Sequence, residues 1–336
     1  MDRIAAEGTH YEIGRKCGAA FSGSIRRILA ELDISHRFDK ACHDLLRHRL
    51  ERNLARHAPY LLEQMKGIAH GSGIPLEHIL TYNFLEEMSQ LGCTVVGFSD
   101  TPEGPIVGKT NDIGQGKEHY HAAQWFKFQG GRQALIFAPP GTVWANAGVN
   151  DDGFCTAGAS VRSEAVNMEG IPSQMVQRIL LEKCSSVSDA LRLLTKTNIM
   201  CSPLNLILAD ARGQIVIVEK DVYAQALRHP ERGTLFATNH WTTSELSQNC
   251  TASPERMQNS RSRFRKLDRL TREVPHTVEG MKAILRDHTR PGAICQHGED
   301  GAGMHTTAAY VIVPRQRTIL FSYGPPCRAE FQLFEL

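Results

Sequence analysis

Two hydrophobic periodicities meet at Leu91-Gly92-Cys93-Thr94, and that junction constrains the fold more than any other feature of the chain. Before it, Phe21, Ile25, Ile28, Leu29 and Leu32 recur at helical spacing, and so do Phe38, Cys42, Leu45, Leu46 and Leu50. Pro59 breaks the second run, and a third carries Leu62, Met65, Ile68 and Ala69 up to Gly71-Ser72-Gly73. Pro75 then sits at a first-turn position ahead of Ile79, Leu80 and Phe84. Residues 1–92 are therefore predicted to be mostly helical. After the junction, Thr94–Ser99 reads as a strand, and the turn residues 100–105 lead into Ile106–Asp112. Strands are predicted at Ala123–Phe128, Ala134–Phe137 and Phe154–Val161, with Asn146–Gly153 a turn-rich stretch between the last two. A helical pair follows at about 171–196, then a hairpin of Leu204–Ala209 with Gln214–Glu219. Thr234–Thr238 reads as a short strand, 254–271 and 277–287 as helices, and Tyr310–Val313 with Thr318–Tyr323 as a last hairpin. Hairpins with helix pairs inserted between them predict antiparallel sheets covered by helices, not a parallel α/β sheet. The junction itself is predicted to lie in an exposed loop.

The 336 residues can bury a large core, and 41% apolar with 22% charged residues is the composition of a globular protein. A net charge of +2 calls for no nucleic-acid or membrane partner. Arg47, Arg49, Arg52 and Arg56 alternate with apolar residues at helical period and read as the solvated face of a helix. The N-terminus lacks an apolar signal region and no apolar run nears 18 residues. Nine scattered cysteines argue for reduced thiols, hence a cytoplasmic setting.

Chemistry concentrates at Gly92-Cys93. A glycine before a cysteine lets the thiol approach the preceding carbonyl. Attack there turns the amide into a thioester, and water opening it leaves Cys93 as a new N-terminus. Its α-amine, with an ordinary pKa of about 7.7–8.0, can then serve as base for its own thiol. Gly-Cys alone is a weak signal, and a buried structural cysteine at the start of a strand is the plainer reading of those two residues.

The wider pattern resembles the acyl-coenzyme A:6-aminopenicillanic acid acyltransferase family of self-processing N-terminal-nucleophile hydrolases. The resemblance rests on the order of many short stretches: Gly8-Thr9-His10-Tyr11-Glu12-Ile13-Gly14 with Gly18, Gly92-Cys93-Thr94, Gly108-Lys109-Thr110-Asn111-Asp112 and Asn150-Asp151-Asp152-Gly153-Phe154. Arg178–Glu182, Asn205 with Ala209-Asp210, Thr238-Asn239-His240, Asn259-Ser260 with Arg263, Asp287-His288, Ile294–His297 and Gly324-Pro325-Pro326 continue it. It implies an α+β fold, a four-layer αββα sandwich forming one structural domain. Cleavage between Gly92 and Cys93 would release 1–92 as a small subunit, associated with a large subunit of 93–336 that carries the nucleophile. It implies Cys93 as nucleophile, Asp112 hydrogen-bonded to the new amine, and Asn239 offering its NH₂ to an oxyanion. Lys109, Ser160 and Arg263 would line the substrate site. Arg263 would hold Asp112 or a substrate carboxylate with its planar fork, and backbone N–H groups near Ser160 would supply a second oxyanion donor. Lys109 stands where the related bile-salt hydrolases carry Arg, and Ser160 where they often carry Asn, so the thiol's surroundings differ from that branch.

The implied reaction is cleavage of a small linear amide through a Cys93 acyl-thioester. Hydrolysis is favoured over transfer, because transfer needs a second bound acceptor, with an acyl donor such as an acyl-CoA. No cofactor is implied, and homo-oligomerisation is left open. Two alternatives keep the thiol without self-cleavage: a Cys–His hydrolase using His240, His297 or His305, and a non-catalytic binding protein. Trp125, Trp144 and Trp241 read equally as acyl-pocket lining or core. Cys295-Gln296-His297 with His305 has a superficial metal-ligand spacing, but no second cysteine pair lies nearby in sequence, so no metal is expected. Cys155 and Cys327 read as core.

Overall fold

The computed structural model describes residues 1–33, 40–84, 92–165, 167–196, 199–298 and 303–336, without side chains for 40–47. Leu91, Phe38 and the side chains of Cys42, Leu45, Leu46 and Arg47 thus lie outside the described residues. Among the described residues fourteen strands form two sheets. The larger has the order β1 (Asp2–Gly8), β4 (Ala122–Phe128), β5 (Gln133–Ala138), β6 (Ala147–Asn150), β7 (Phe154–Ser160), β8 (Leu204–Asp210), β9 (Ile215–Lys220) and β10 (Gln225–Arg228). The smaller has the order β11 (Thr234–Ala237), β2 (Gly92–Phe98), β3 (Ile106–Ile113), β12 (His305–Val313), β13 (Thr318–Tyr323) and β14 (Phe331–Glu335). Every pairing is antiparallel except β1 with β4, which run parallel over seven residues.

Three apolar layers make this the αββα sandwich. Between the sheets lie small and branched residues such as Val95, Val107, Ala147, Ala157, Ile207 and Ala308, with the rings of Phe137, Tyr310 and Phe321 at one end. Helices α1 (His10–Leu32), α2 (Lys40–His57), α3 (Pro59–Ser72), α4 (Leu76–Phe84), α5 (Ser173–Lys183) and α6 (Val187–Lys196) share a core with the outer face of the larger sheet. Helices α7 (Pro254–Glu273) and α8 (Val278–Arg286) cover the smaller one. No helix among the described residues is long and apolar enough to cross a membrane.

The N-terminal region differs from the sequence expectation first in opening with strand β1, whose alternation of half-buried and exposed residues is too polar to signal a strand. Thr9 then caps α1 through a reciprocal box with Glu12. Gly14 and Gly18 on α1 face Gly67 and Gly71 on α3, and the helices touch backbone to backbone. A Cβ at Gly14 would stand 2.0 Å from the Gln64 carbonyl oxygen, and one at Gly18 2.2 Å from that of Ile68. Within this layer Glu182 accepts from Arg178 at 2.5 Å and pairs with His10 at 2.9 Å, and Arg178 also reaches Gln64. The arginines of α2 divide: Arg52 and Arg56 are exposed, as a solvated face requires, but Arg49 is not. Arg49 is buried and donates to the carbonyls of Asn167 and Met168, and Asn53 holds Met168 and Gly170 beside it. β6, β10 and β14 are the other strands that periodicity missed, being short or edge segments.

Gly18→Ala tests the backbone contact. Alanine would gain about 1 kcal/mol of helix propensity, but a Cβ at 2.2 Å from a backbone oxygen forces the helices apart, an overpacking cost of about 1–3 kcal/mol. The expected net result is a lower urea midpoint; Gly23→Ala, with open space around its Cβ position, should leave the midpoint equal or higher.

Candidate active site

Gly92 and Cys93 open strand β2 in the interior, not in an exposed loop; Cys93 is 3% exposed. In the β2–β3 ladder Gly92 lies opposite Asp112, Cys93 opposite Asn111 and Val95 opposite Lys109. Side chains alternate across a strand, so Cys93, Val95 and Lys109 point between the sheets, whereas Thr94 and Asp112 point to the helix layer. The Lys109 ammonium lies 4.0 Å from the Cys93 sulfur and donates to the Gly158 carbonyl. It is 1% exposed.

Asp112 is fully buried. Its carboxylate accepts from Thr306 Oγ1 and Gln296 Nε2, each at 2.7 Å, and from Thr110 Oγ1 at 3.3 Å. Burial pushes this carboxyl above the usual range, against the opposing pull of the Arg263 charge and the three donors. The Cys93 thiol is likewise raised by burial, and Lys109, Arg263 and a hydrogen bond from the Ser160 backbone N–H counteract part of that rise.

The Cys93 N–H donates to Asn239 Oδ1 at 3.2 Å, so the partner of this nitrogen in the continuous chain is Asn239. Asn239 Nδ2 donates to the Ser160 carbonyl at 2.8 Å, which engages one of its two hydrogens. Asn205 on β8 fixes this turn by donating to the carbonyls of Thr238 and His240, and Ser260 Oγ accepts the Asn239 N–H.

Arg263 lies against the backbone of Cys93. From α7 it donates to the Cys93 carbonyl at 2.8 Å, Thr94 Oγ1 at 3.0 Å, Asn239 Oδ1 at 2.6 Å and Asn259 Oδ1 at 2.9 Å. It is 1% exposed, although it lies on a helix rich in arginine and lysine. It makes no ion pair with Asp112 but reaches it through a relay: Asn259 Nδ2 donates to Gln296 Oε1, and Gln296 Nε2 donates to Asp112. Asn259, Gln296 and Thr306 are the site residues that sequence reasoning assigned no role. Their only signal was that Asn259 and Gln296 fall inside recurring short motifs.

Among the described residues none of the histidines proposed for a Cys–His pair hydrogen-bonds Cys93. His240 Nδ1 bonds Ser260 Oγ at 2.7 Å, and burial lowers its pKa to about 4. Trp144 and Trp241 are buried in the core, and Trp125 stacks on Phe334. Cys155 is core, but Cys327 is only half-buried and its sulfur lies 3.6 Å from that of Cys295.

A family model described as acyl-coenzyme A:6-aminopenicillanic acid acyl-transferase matches residues 99–326, two thirds of the sequence. The chain belongs to this family. The matched span holds Lys109, Asp112, Ser160, Asn239 and Arg263, and starts just beyond Gly92-Cys93. No curated protein sequence matches the chain. Among solved structures, penicillin V acylase from Agrobacterium tumefaciens superposes with a TM-score of 0.51 at 14% identity, over 73% of this chain and 86% of that one. An N-acylethanolamine-hydrolyzing acid amidase ortholog from Caenorhabditis elegans gives 0.47 at 16% identity, over 66% and 93%. The first likeness is one of fold, that of the N-terminal-nucleophile hydrolases. Membership of the acyltransferase family places the chain among amidases and acyltransferases that act on amides.

Two buried imidazoles make this fold acid-sensitive. Burial holds His121 at a pKa of about 3 and His240 at about 4, against 6.5 in the unfolded chain. A depressed folded pKa gives stability that is complete above the unfolded value and is lost as pH falls towards the folded one. Between about pH 7.5 and pH 4.5 each should cost about 1–3 kcal/mol. Urea midpoints across that range should fall in the wild type and fall less steeply in His121→Asn.

Proposed function

We propose that the chain is a self-processing cysteine amidohydrolase whose nucleophile is the N-terminal Cys93 formed by its own cleavage. The observation that carries this reading is the convergence of Lys109, Asp112, Asn239 and Arg263 on the Gly92–Cys93 peptide. In the processing step the Cys93 thiol attacks the Gly92 carbonyl carbon, the C–N bond breaks, and the freed nitrogen takes a proton. Water then hydrolyses the thioester and releases 1–92 with a C-terminal Gly92. A Cβ at Gly92 would come within 3.2 Å of Asp112 Cβ and 3.3 Å of Met304 Sδ, so glycine suits the approach of this carbonyl to the site. The raised Asp112 carboxyl is suited to exchanging a proton with the departing nitrogen.

In the processed enzyme the Cys93 amine takes the thiol proton, and Asn239 Oδ1 holds that amine as it holds the amide now. The thiolate attacks a linear amide. The second Asn239 Nδ2 hydrogen serves the oxyanion, and the protonated amine gives its proton to the leaving amine. Water completes hydrolysis from the acyl-thioester; a bound amine would complete transfer. Both Lys109 and Arg263 are committed to protein acceptors at the nucleophile, so we assign them to tuning the thiol rather than to a substrate carboxylate. The two pieces stay together because β1 belongs to the same sheet as β4, while His10 and Gln64 bind the Arg178–Glu182 pair.

Intact mass under denaturing conditions tests the reading. Wild type should give pieces of about 10 and 27 kDa, the 37.3 kDa chain divided after residue 92 in proportion to length, and Cys93→Ala a single uncut chain. A wild type that remains uncut on long incubation would overturn the proposal. In processed enzyme, Asn239→Ala should lower kcat by about 10²–10³-fold with the fold retained, the usual loss for one oxyanion donor. Neutral and carboxylated forms of one amide should be cleaved at rates within a few-fold of each other; strong preference for the carboxylate would return Lys109 or Arg263 to substrate binding.

A further inference from the structure

Behind Asp112 the fold assembles a cluster that sequence spacing had not. Cys295 and His297 flank Gln296, the residue that donates to Asp112, and Cys327 arrives from the turn after β13, thirty residues on. The two sulfurs lie 3.6 Å apart, and His297 Nε2 lies 3.2 Å from Cys327 Sγ and 3.7 Å from Cys295 Sγ. A tetrahedral ion with metal–sulfur bonds of about 2.3 Å and metal–nitrogen bonds of about 2.0–2.1 Å separates its ligands by about 3.8 Å for S···S and about 3.6 Å for S···N. The three observed separations fall around those edges.

We propose that Cys295, His297 and Cys327 form a site for one thiophilic divalent ion, zinc by the chemistry of its donors. Two thiolates and an imidazole select a borderline-soft tetrahedral ion over magnesium or calcium. On binding, the two thiol protons leave to solvent and His297 coordinates through Nε2 as the neutral ring. The frame is held independently of the ion: the Cys295 N–H donates to the Asp287 carbonyl, Gly298 N–H to Met304, and Arg328 N–H to Pro325. His297 also lines a cleft of about 300 Å³ with Gln115, Glu118, Gln296, His305 and Arg328, from which water would supply the fourth ligand. The ion would tie the 325–328 turn to the segment carrying Gln296, and so brace one of the two short bonds to Asp112. The binding claim itself does not depend on Cys93 being a nucleophile.

The test uses the full-length chain, purified with reductant, stripped by chelator and titrated with zinc or cobalt(II). About one equivalent should bind per chain, and the cobalt form should show thiolate-to-metal charge transfer and the intense visible bands of a tetrahedral site. Cys295→Ser and Cys327→Ser should each weaken binding tenfold or more, and His297→Ala should shift the cobalt spectrum and weaken binding. Cys250→Ser and Cys93→Ala should bind as wild type, whether or not the chain is processed. Substoichiometric loading of the reduced wild type, loading unchanged in Cys327→Ser and His297→Ala, or an octahedral cobalt spectrum would each overturn the site. A Cys295–Cys327 disulfide persisting in the reduced preparation would do the same.

Discussion

Arg263 is a guanidinium taken almost wholly out of water, and the order of the site follows from satisfying it. Burying an ion costs several kcal/mol unless its hydrogen bonds are replaced. Here the replacements are the Cys93 carbonyl, the Thr94 hydroxyl and the side-chain carbonyls of Asn239 and Asn259. The four acceptors come from three parts of the chain: the strand that opens at Gly92-Cys93, the turn carrying Asn239, and the helix that carries Arg263 itself. A lysine could not reproduce the planar fork that reaches them all. The same cation also fixes how Asn239 is oriented. With Arg263 and the Cys93 N–H both donating to one oxygen, that atom is Oδ1, and the NH₂ group is turned towards Ser160.

The two-residue period of β2 divides the labour. Thiol and ammonium lie on the inner face of the small sheet, where burial raises the thiol and the ammonium offsets part of that rise. Carboxylate and guanidinium lie on the outer face, beneath α7. The backbone between them carries the Gly92–Cys93 amide in the plane of the sheet, within reach of groups from both sides. An enzyme that needs a proton removed from sulfur and delivered to nitrogen gains from this separation, because Asp112, a negative charge that raises the thiol, stays across the strand from it.

Much of this was legible in the sequence where it depended on local pattern. The switch from helical to alternating periodicity located β2 to within two residues, and the hairpins and outer helices followed from runs such as Leu204–Ala209 and Tyr310–Val313. Lys109, Asp112, Ser160, Asn239 and Arg263 were all placed near Cys93, and the structure brings them together. What was not legible depended on pairing at long range. β1 is a strand because β4 accepts it, Arg49 is buried because the 167–170 segment folds over it, and Gln296 matters because Asn259 and Asp112 stand on either side of it. The junction at Cys93 looked like a place for a loop since composition changes there; the ladder with β3 instead holds Gly92 and Cys93 in strand.

The position of Gln296 joins these threads. Asp112 takes its two shortest hydrogen bonds from Gln296 and Thr306, which are themselves linked: the Gln296 N–H donates to Thr306 Oγ1, and the Thr306 N–H to the Gln296 carbonyl. That closed ring explains how a fully buried carboxylate is tolerated without a direct ion pair, since three donors converge on it. It also makes the carboxylate sensitive to whatever fixes the flanking residues. Cys295 and His297 on either side of Gln296 cannot shift without moving its amide, and that amide is the last link in the relay from Arg263. A constraint applied at the Cys327 turn is therefore transmitted to the peptide bond at Cys93 through three side chains, Gln296, Asn259 and Arg263, each with a hydrogen bond to the next.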